Sequence, residues 1–175
     1  MKEVELKFKI PDNGNLVKSK IKKSKAKYGG KYVQIDLWFD TEDKQLRREG
    51  KGLRVRRQNG KTTLTLKGKQ TFGEVREAEE QEVAVDNFEE ILKILGGLGF
   101  VVDVEIRKER KVWKLGEVAI ALDKVDGLGT FLELEGPQGE IEKTIKILGL
   151  ESLPRTSQHY GQLLEEKIYD KSSNF

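Results

Sequence analysis

Strict two-residue alternation of apolar and charged side chains recurs along this chain and limits its fold more than any other feature. In residues 2–10, Val4, Leu6, Phe8 and Ile10 fall on one face and Glu3, Glu5, Lys7 and Lys9 on the other. That is the pattern of a half-buried β-strand, ended by Pro11 and Asp12. Residues 31–40 alternate again, with Val33, Ile35, Leu37 and Phe39 opposing Gln34, Asp36 and Trp38. Asn59-Gly60 is a strong two-residue hairpin turn, because both positions tolerate positive φ. Counting outward pairs Gln58 with Lys61, Arg56 with Thr63, Val55 with Leu64, Arg54 with Thr65 and Leu53 with Leu66. One surface of this hairpin carries Arg54, Arg56, Thr63, Thr65 and Lys67; the other is aliphatic.

The same reading predicts a strand over 78–86, with Glu80, Glu82 and Ala84 on one face, and another over 130–136, with Glu133 and Glu135 opposite Leu132 and Leu134. Residues 100–125 read as a long hairpin. A two-residue turn at Leu115-Gly116 pairs Lys108 with Asp123 and Arg110 with Ala121. Helices are expected over 15–28, stopped by Gly29-Gly30, over 87–96, capped by Asp86 or Asn87, and over 138–149 and 156–169. No repeat or linker separates these pieces, so residues 1–175 read as a single α+β domain.

Composition removes several chemistries. With no Cys and a single His, His159, the chain has no disulfide, thiolate metal site or Cys nucleophile. A His-based zinc site or a Ser-His-Asp triad is equally disfavoured. The 33 basic and 30 acidic side chains nearly cancel. The Lys-rich stretch from Lys18 to Lys27 therefore reads as a solvated helix face, and no nucleic acid is expected as a partner. No apolar run approaches the roughly 18 residues of a membrane span, and no signal-peptide pattern opens the chain. A cytoplasmic protein without a membrane partner is expected. High charge, no Cys and one Met also suit a thermophile.

Alternation gathers Glu3, Glu5, Glu80, Glu82, Asp123, Glu133 and Glu135 on the polar sides of the strands, beside Lys7, Lys9, Arg54, Arg56, Lys67, Lys108 and Arg110. About eight antiparallel strands can close into a barrel, and helices packed outside would turn this charged face into the lumen. Enclosing so many charges is costly unless a multiply charged ligand belongs there. Lys and Arg match phosphate oxygens, whereas carboxylates without His or Cys match hard cations such as Mg²⁺ or Mn²⁺. Together they suit a polyphosphate bound with its metal.

The opening Glu3-Val4-Glu5-Leu6-Lys7 reads ExExK. It is followed in order by Asp36 with Phe39-Asp40, Leu53-Arg54-Val55-Arg56, Thr65-Leu66-Lys67-Gly68, Lys108-Glu109-Arg110, Leu122-Asp123 and Glu133-Leu134-Glu135. In this the sequence resembles the CYTH superfamily of triphosphate tunnel metalloenzymes, and most closely its class IV (CyaB-type) adenylyl cyclases. The resemblance spans about residues 1–165 and implies a closed, eight-stranded antiparallel barrel binding a triphosphate with Mg²⁺ or Mn²⁺. By position it implies metal-binding Glu3, Glu5, Glu133 and Glu135, and triphosphate-binding Lys7, Arg54, Arg56, Lys67, Lys108 and Arg110. Glu3, Glu5, Lys7 and Asp123 would be catalytic, with Glu80, Glu82, Lys9 and Tyr160 as weaker matches.

The implied reaction is conversion of ATP to cyclic AMP and pyrophosphate. The alternatives are hydrolysis of inorganic, nucleoside or thiamine triphosphate to orthophosphate, or polyphosphate binding without turnover. The resemblance is also compatible with a homodimer. Trp38 and Trp113 alternate with polar neighbours and are expected to pack in the core or at a rim, nucleobase stacking being the exception. His159 reads as an ordinary surface or edge histidine.

Overall fold

Burying the aliphatic half of each alternating strand builds a single antiparallel sheet. The computed structural model describes residues 5–11, 13–68, 79–156 and 158–172. In chain order these form β1 (Glu5–Ile10), α1 (Asn15–Lys23), β2 (Lys27–Asp40), α2 (Gln45–Arg48), β3 (Gly52–Gln58), β4 (Lys61–Lys67) and β5 (Glu80–Val85). There follow α3 (Phe88–Gly97), β6 (Val101–Leu115), β7 (Val118–Val125), β8 (Gly129–Glu135), α4 (Gln138–Leu148), β9 (Arg155–Thr156) and α5 (Tyr160–Ser172). The strand order is β5-β4-β3-β2-β6-β7-β8-β1-β9.

The Asn59-Gly60 hairpin has every pair that the turn implied, from Gln58↔Lys61 to Leu53↔Leu66. Asn59 and Gly60 both have positive φ, 49° and 80°. The second hairpin differs by two residues from its expected register. Its turn is Gly116-Glu117, with Gly116 at φ 59°, so Arg110 faces Asp123 and Lys108 faces Val125. A shift of two keeps every side chain on its face, which is why the polar set survives the correction.

Three further expectations change. The first helix ends at Lys23, not at Tyr28, and β2 already begins at Lys27. The Gly29-Gly30 pair marks a register break in β2 against β6 rather than a helix stop. Gly29 is tight against Val112, where a Cβ would lie 3.0 Å from Cγ2.

Of the closed eight-stranded barrel that was expected, the large antiparallel sheet is present but its closure is not. Among the described residues it has nine strands, and no pairing joins its outer strands β5 and β9. The two-residue β9 occupies the free side of β1.

The helices, finally, are not all outside. α1 and α4 bury Val17, Ile21, Ile141, Ile145 and Leu148 against Leu6, Phe8, Ile10, Ile120, Leu132 and Leu134 on the convex face of β1, β7 and β8. Each such side chain contributes about 1.5–3 kcal/mol of burial. α3, capped by Asn87 Oδ1 accepting from the Glu90 amide at 3.1 Å, covers Leu37, Phe39, Leu53 and Val55. α5, by contrast, packs Tyr160, Leu163 and Leu164 on Ile106, Val125 and Phe131, which share a face with the charged residues. It thus plugs part of the concave side.

Candidate functional site

The concave face of the curled sheet encloses a cavity of about 420 Å³, within the range of small-molecule sites. Alternation delivers its lining. Glu5 and Lys7 come from β1, Asp36 and Trp38 from β2, Arg54 and Arg56 from β3, and Lys67 from β4. Glu80 and Glu82 come from β5, Lys108 and Arg110 from β6, Glu133 and Glu135 from β8, and His159 and Tyr160 from the start of α5. Glu3 lies outside the described residues. Lys9 is exposed at the end of β1 and is absent from the lining, so the structure separates it from the set.

On the β6–β7–β8 side the charges are fully interlocked. Asp123 has no exposed surface and lies beneath the residues that line the cavity. Its Oδ2 accepts from Lys108 Nζ at 2.9 Å, Arg110 at 2.6 Å and the Tyr160 hydroxyl at 3.0 Å, while Oδ1 accepts from Arg110 Nε at 2.7 Å. Arg110 reaches on to Glu133. Lys7 Nζ stands 3.3 Å from Glu133 and 3.2 Å from Glu5, and 4.5 Å above the Tyr160 ring.

Burial alone would raise the Glu133 carboxyl, but Arg110, then Lys7 and Lys108, hold it well below the carboxylate range. Burial, then Arg110, pushes the Lys108 ammonium down from its ordinary value against the pull of Asp123. Burial, then Glu133 and Asp123, raises the Tyr160 phenol well above its usual range, so its hydroxyl stays a donor.

The β2–β3–β4 side is different. Arg56 holds Asp36 in a two-pronged pair at 2.6 and 2.7 Å. Desolvation would raise Asp36, yet this pairing sets it below its usual value. Lys67 pairs with Glu80. Arg54, only 7% exposed, has no two-pronged partner among the described residues. It donates to Thr65 Oγ1 at 3.2 Å, lies 3.6 Å from Glu82, and its Nε has no hydrogen-bond acceptor among the described residues. Burial, then Arg56, pushes its pKa down to about 10. A buried guanidinium still charged at neutral pH, with a donor unmet among the described residues, is suited to receive an anion.

The lining carboxylates are oxygen donors only. Among the described residues no three of them lie close enough to enclose an ion alone. Glu5 sits opposite Glu135, and Glu133 opposite Lys7, on the paired strands β1 and β8. That donor set fits a hard cation completed by ligand oxygens and water. Two features of the cavity were missed in the sequence: Asp36 as an Arg56 clamp, and His159 as a lining residue stacked at 6.3 Å and 14° on Trp38. Asp36 sits on the polar side of its alternating strand, a signal that could have found it. His159 stands in an irregular segment with no periodicity to place it. Trp113 behaves as expected, packing against the convex-side core.

The model of the CYTH domain family matches residues 1–157. A candidate adenylate cyclase of Methanocaldococcus jannaschii is 35% identical over 148 residues, covering 85% of this chain and 84% of that protein. Among solved structures, the PH1012 protein of Pyrococcus horikoshii OT3 superposes with a TM-score of 0.82 at 28% identity, over 93% of this chain and 99% of that one. HpAC1 of Hippeastrum, a candidate adenylyl cyclase described as having a dominant triphosphatase activity, superposes with a TM-score of 0.74 at 22% identity. That match covers 95% of this chain and 96% of the other, and at this identity the likeness is one of fold.

Proposed function

The chain belongs to the CYTH domain family, and on that premise we propose that it is a metal-dependent enzyme acting on a triphosphate, with conversion of ATP to cyclic AMP and pyrophosphate as its reaction. The observation that carries the triphosphate is Arg54, buried, charged and with an Nε–H unmet among the described residues, in a cavity whose lining also includes Lys7, Arg56, Lys67, Lys108 and Arg110. Phosphate oxygens supply the acceptors and the charge that Arg54 lacks.

Each residue then has a task. Arg54 and Arg56 grip phosphates from β3, with Asp36 fixing the plane of Arg56. Lys108 and Arg110 do so from β6, held in place by Asp123 from below. Asp123 is a positioning residue in this scheme. Glu5, Glu133 and Glu135, with Glu3, would hold Mg²⁺ or Mn²⁺, which when bound would neutralise phosphate charge and favour ionisation of the attacking oxygen. Lys7, between Glu5 and Glu133, would exchange those carboxylates for a phosphate oxygen when the cavity fills. Phosphoryl transfer asks chiefly for positioning and charge stabilisation, which is what this lining offers.

The cyclase reading leans on the Methanocaldococcus relative, named as a candidate adenylate cyclase. A second reading, triphosphate hydrolysis by water at the terminal phosphorus, is favoured by the triphosphatase activity described for the Hippeastrum protein. Product analysis with ATP, inorganic triphosphate and thiamine triphosphate, each with Mg²⁺ and with Mn²⁺, decides between them. Cyclic AMP with pyrophosphate is the expected result. Orthophosphate without cyclic AMP would make the chain a triphosphatase, and metal-dependent binding without turnover a polyphosphate-binding module. Neither binding nor turnover would overturn the proposal.

A further inference from the structure

An aromatic side chain facing a cavity of charged groups has no task in holding phosphates; besides Tyr160, whose hydroxyl is bonded to Asp123, this lining includes Trp38 and His159. Trp38 occupies a polar-face position of β2 and lines the cavity, its register neighbours being Arg54 on β3 and Val104 on β6. Its indole lies against the backbone of Gly52, where a Cβ would stand 2.7 Å from Cζ3. Any other residue at position 52 would displace the ring. The Arg54 guanidinium stands 5.6 Å from the indole centroid.

The second ring is the His159 imidazole, nearly parallel to the indole. The α5 start holds it in place: the Gln162 amide donates to His159 Nδ1 at 3.4 Å, and the His159 amide donates to Gln162 Oε1 at 3.2 Å. Val104, Gly52 and Gly161 also line the cavity. Along the sheet Trp38 is one alternation step, roughly 7 Å, from the Arg56–Asp36 clamp. A group attached to phosphates on Arg54 and Arg56 would therefore meet the two rings directly.

Resting on the triphosphate reading above, we propose that Trp38 and His159 form a stacking site for a planar heteroaromatic group carried by the substrate, so that the cavity prefers a triphosphate bearing such a ring to inorganic triphosphate. Stacking on an aromatic face tolerates many rings, whereas the phosphate cradle is blind to all of them. The Trp38–His159 pair is thus where selectivity resides.

The test measures affinity for ATP and for inorganic triphosphate, in the same buffer and metal, for the full chain and for Trp38→Ala, His159→Ala and Trp38→Phe. Loss of one base–aromatic stack lowers affinity roughly five- to a hundredfold. The ratio of ATP to inorganic triphosphate affinity should fall by that order in the two alanine variants and recover in Trp38→Phe. The same ratio taken with thiamine triphosphate tells a purine from a thiamine ring. A structural role alone would lower both affinities together and leave the ratio unchanged, which would overturn the stacking site while leaving the triphosphate site standing. His159→Ala keeps the test open if Trp38→Ala fails to fold, since His159 lies outside the sheet. Failure of the unmodified chain to bind either ligand would remove the triphosphate reading itself.

Discussion

The two walls of the cavity present similar side chains, but one leaves a buried cation, Arg54, only loosely paired. On β6–β7–β8, Lys108 and Arg110 share Asp123, a carboxylate with no exposed surface, and Glu133 takes up the rest. On β3–β4, Arg54 is almost as buried, yet the acid it pairs with, Glu82, stands 3.6 Å away with its side chain half exposed. One wall is finished by the chain itself. The other is left for a ligand to complete. A buried cation held closely by a buried carboxylate contributes order, while one whose carboxylate is more distant and half exposed costs stability and stores affinity.

Asp123→Asn breaks this comparison most severely if it is mistaken. Lys108 and Arg110 would lose their shared counter-ion in a dry site, and the cost should be about 3–5 kcal/mol, read from urea unfolding. A loss below about 1 kcal/mol would mean that the β6–β7–β8 wall is not held by its carboxylate.

Arg54→Met should do the reverse. Removing a buried charge that is only weakly compensated, while keeping a similar volume, should leave unfolding stability unchanged or higher, whereas triphosphate affinity should fall tenfold or more, as expected for a lost charge-assisted hydrogen bond. A stability loss matching that of Asp123→Asn would show that the walls do not differ.

The mildest effect concerns acid. Because Glu133 ionises well below the ordinary glutamate value when folded, its contribution is complete above about pH 4.3 and is lost as the pH falls through its folded value. The stability gap between the parent chain and Glu133→Gln should thus be constant near neutrality and narrow below about pH 4. A gap independent of pH down to pH 2–3 would place the stabilising charge elsewhere.

How much of this was legible depended on whether a residue's place follows from periodicity. Arg54 and Arg56 could be set opposite Thr65 and Thr63 because Asn59-Gly60 admits one register. The β6–β7 turn admits two, Leu115-Gly116 or Gly116-Glu117, and only packing chooses between them. Alternation also says which face a residue takes but not how deep it lies. Asp123 and Glu133 look equivalent in the sequence, yet one is sealed under the lining and the other is on it.

Lys9 shows the converse, sharing a face with Lys7 but lying past the end of the cavity. Closure of the sheet was illegible for a third reason. Whether outer strands meet depends on accumulated twist and on β9, a two-residue strand with no periodicity to announce it.

The pairing of β1 with β8 also has a consequence for how the chain assembles. Both hairpins close over turns of two residues, so Arg54 meets Thr65, and Arg110 meets Asp123, between near neighbours in sequence. Lys7 and Glu133 sit opposite one another across most of the chain's length, and contacts of such separation form slowly. During synthesis β1 must therefore wait, with Leu6, Phe8 and Ile10 uncovered, until β8 and α4 have emerged. An aliphatic strand left waiting is an aggregation hazard, and alternating charges are what guards such strands. Glu5 and Lys7 serve the nascent chain as gatekeepers before they line anything.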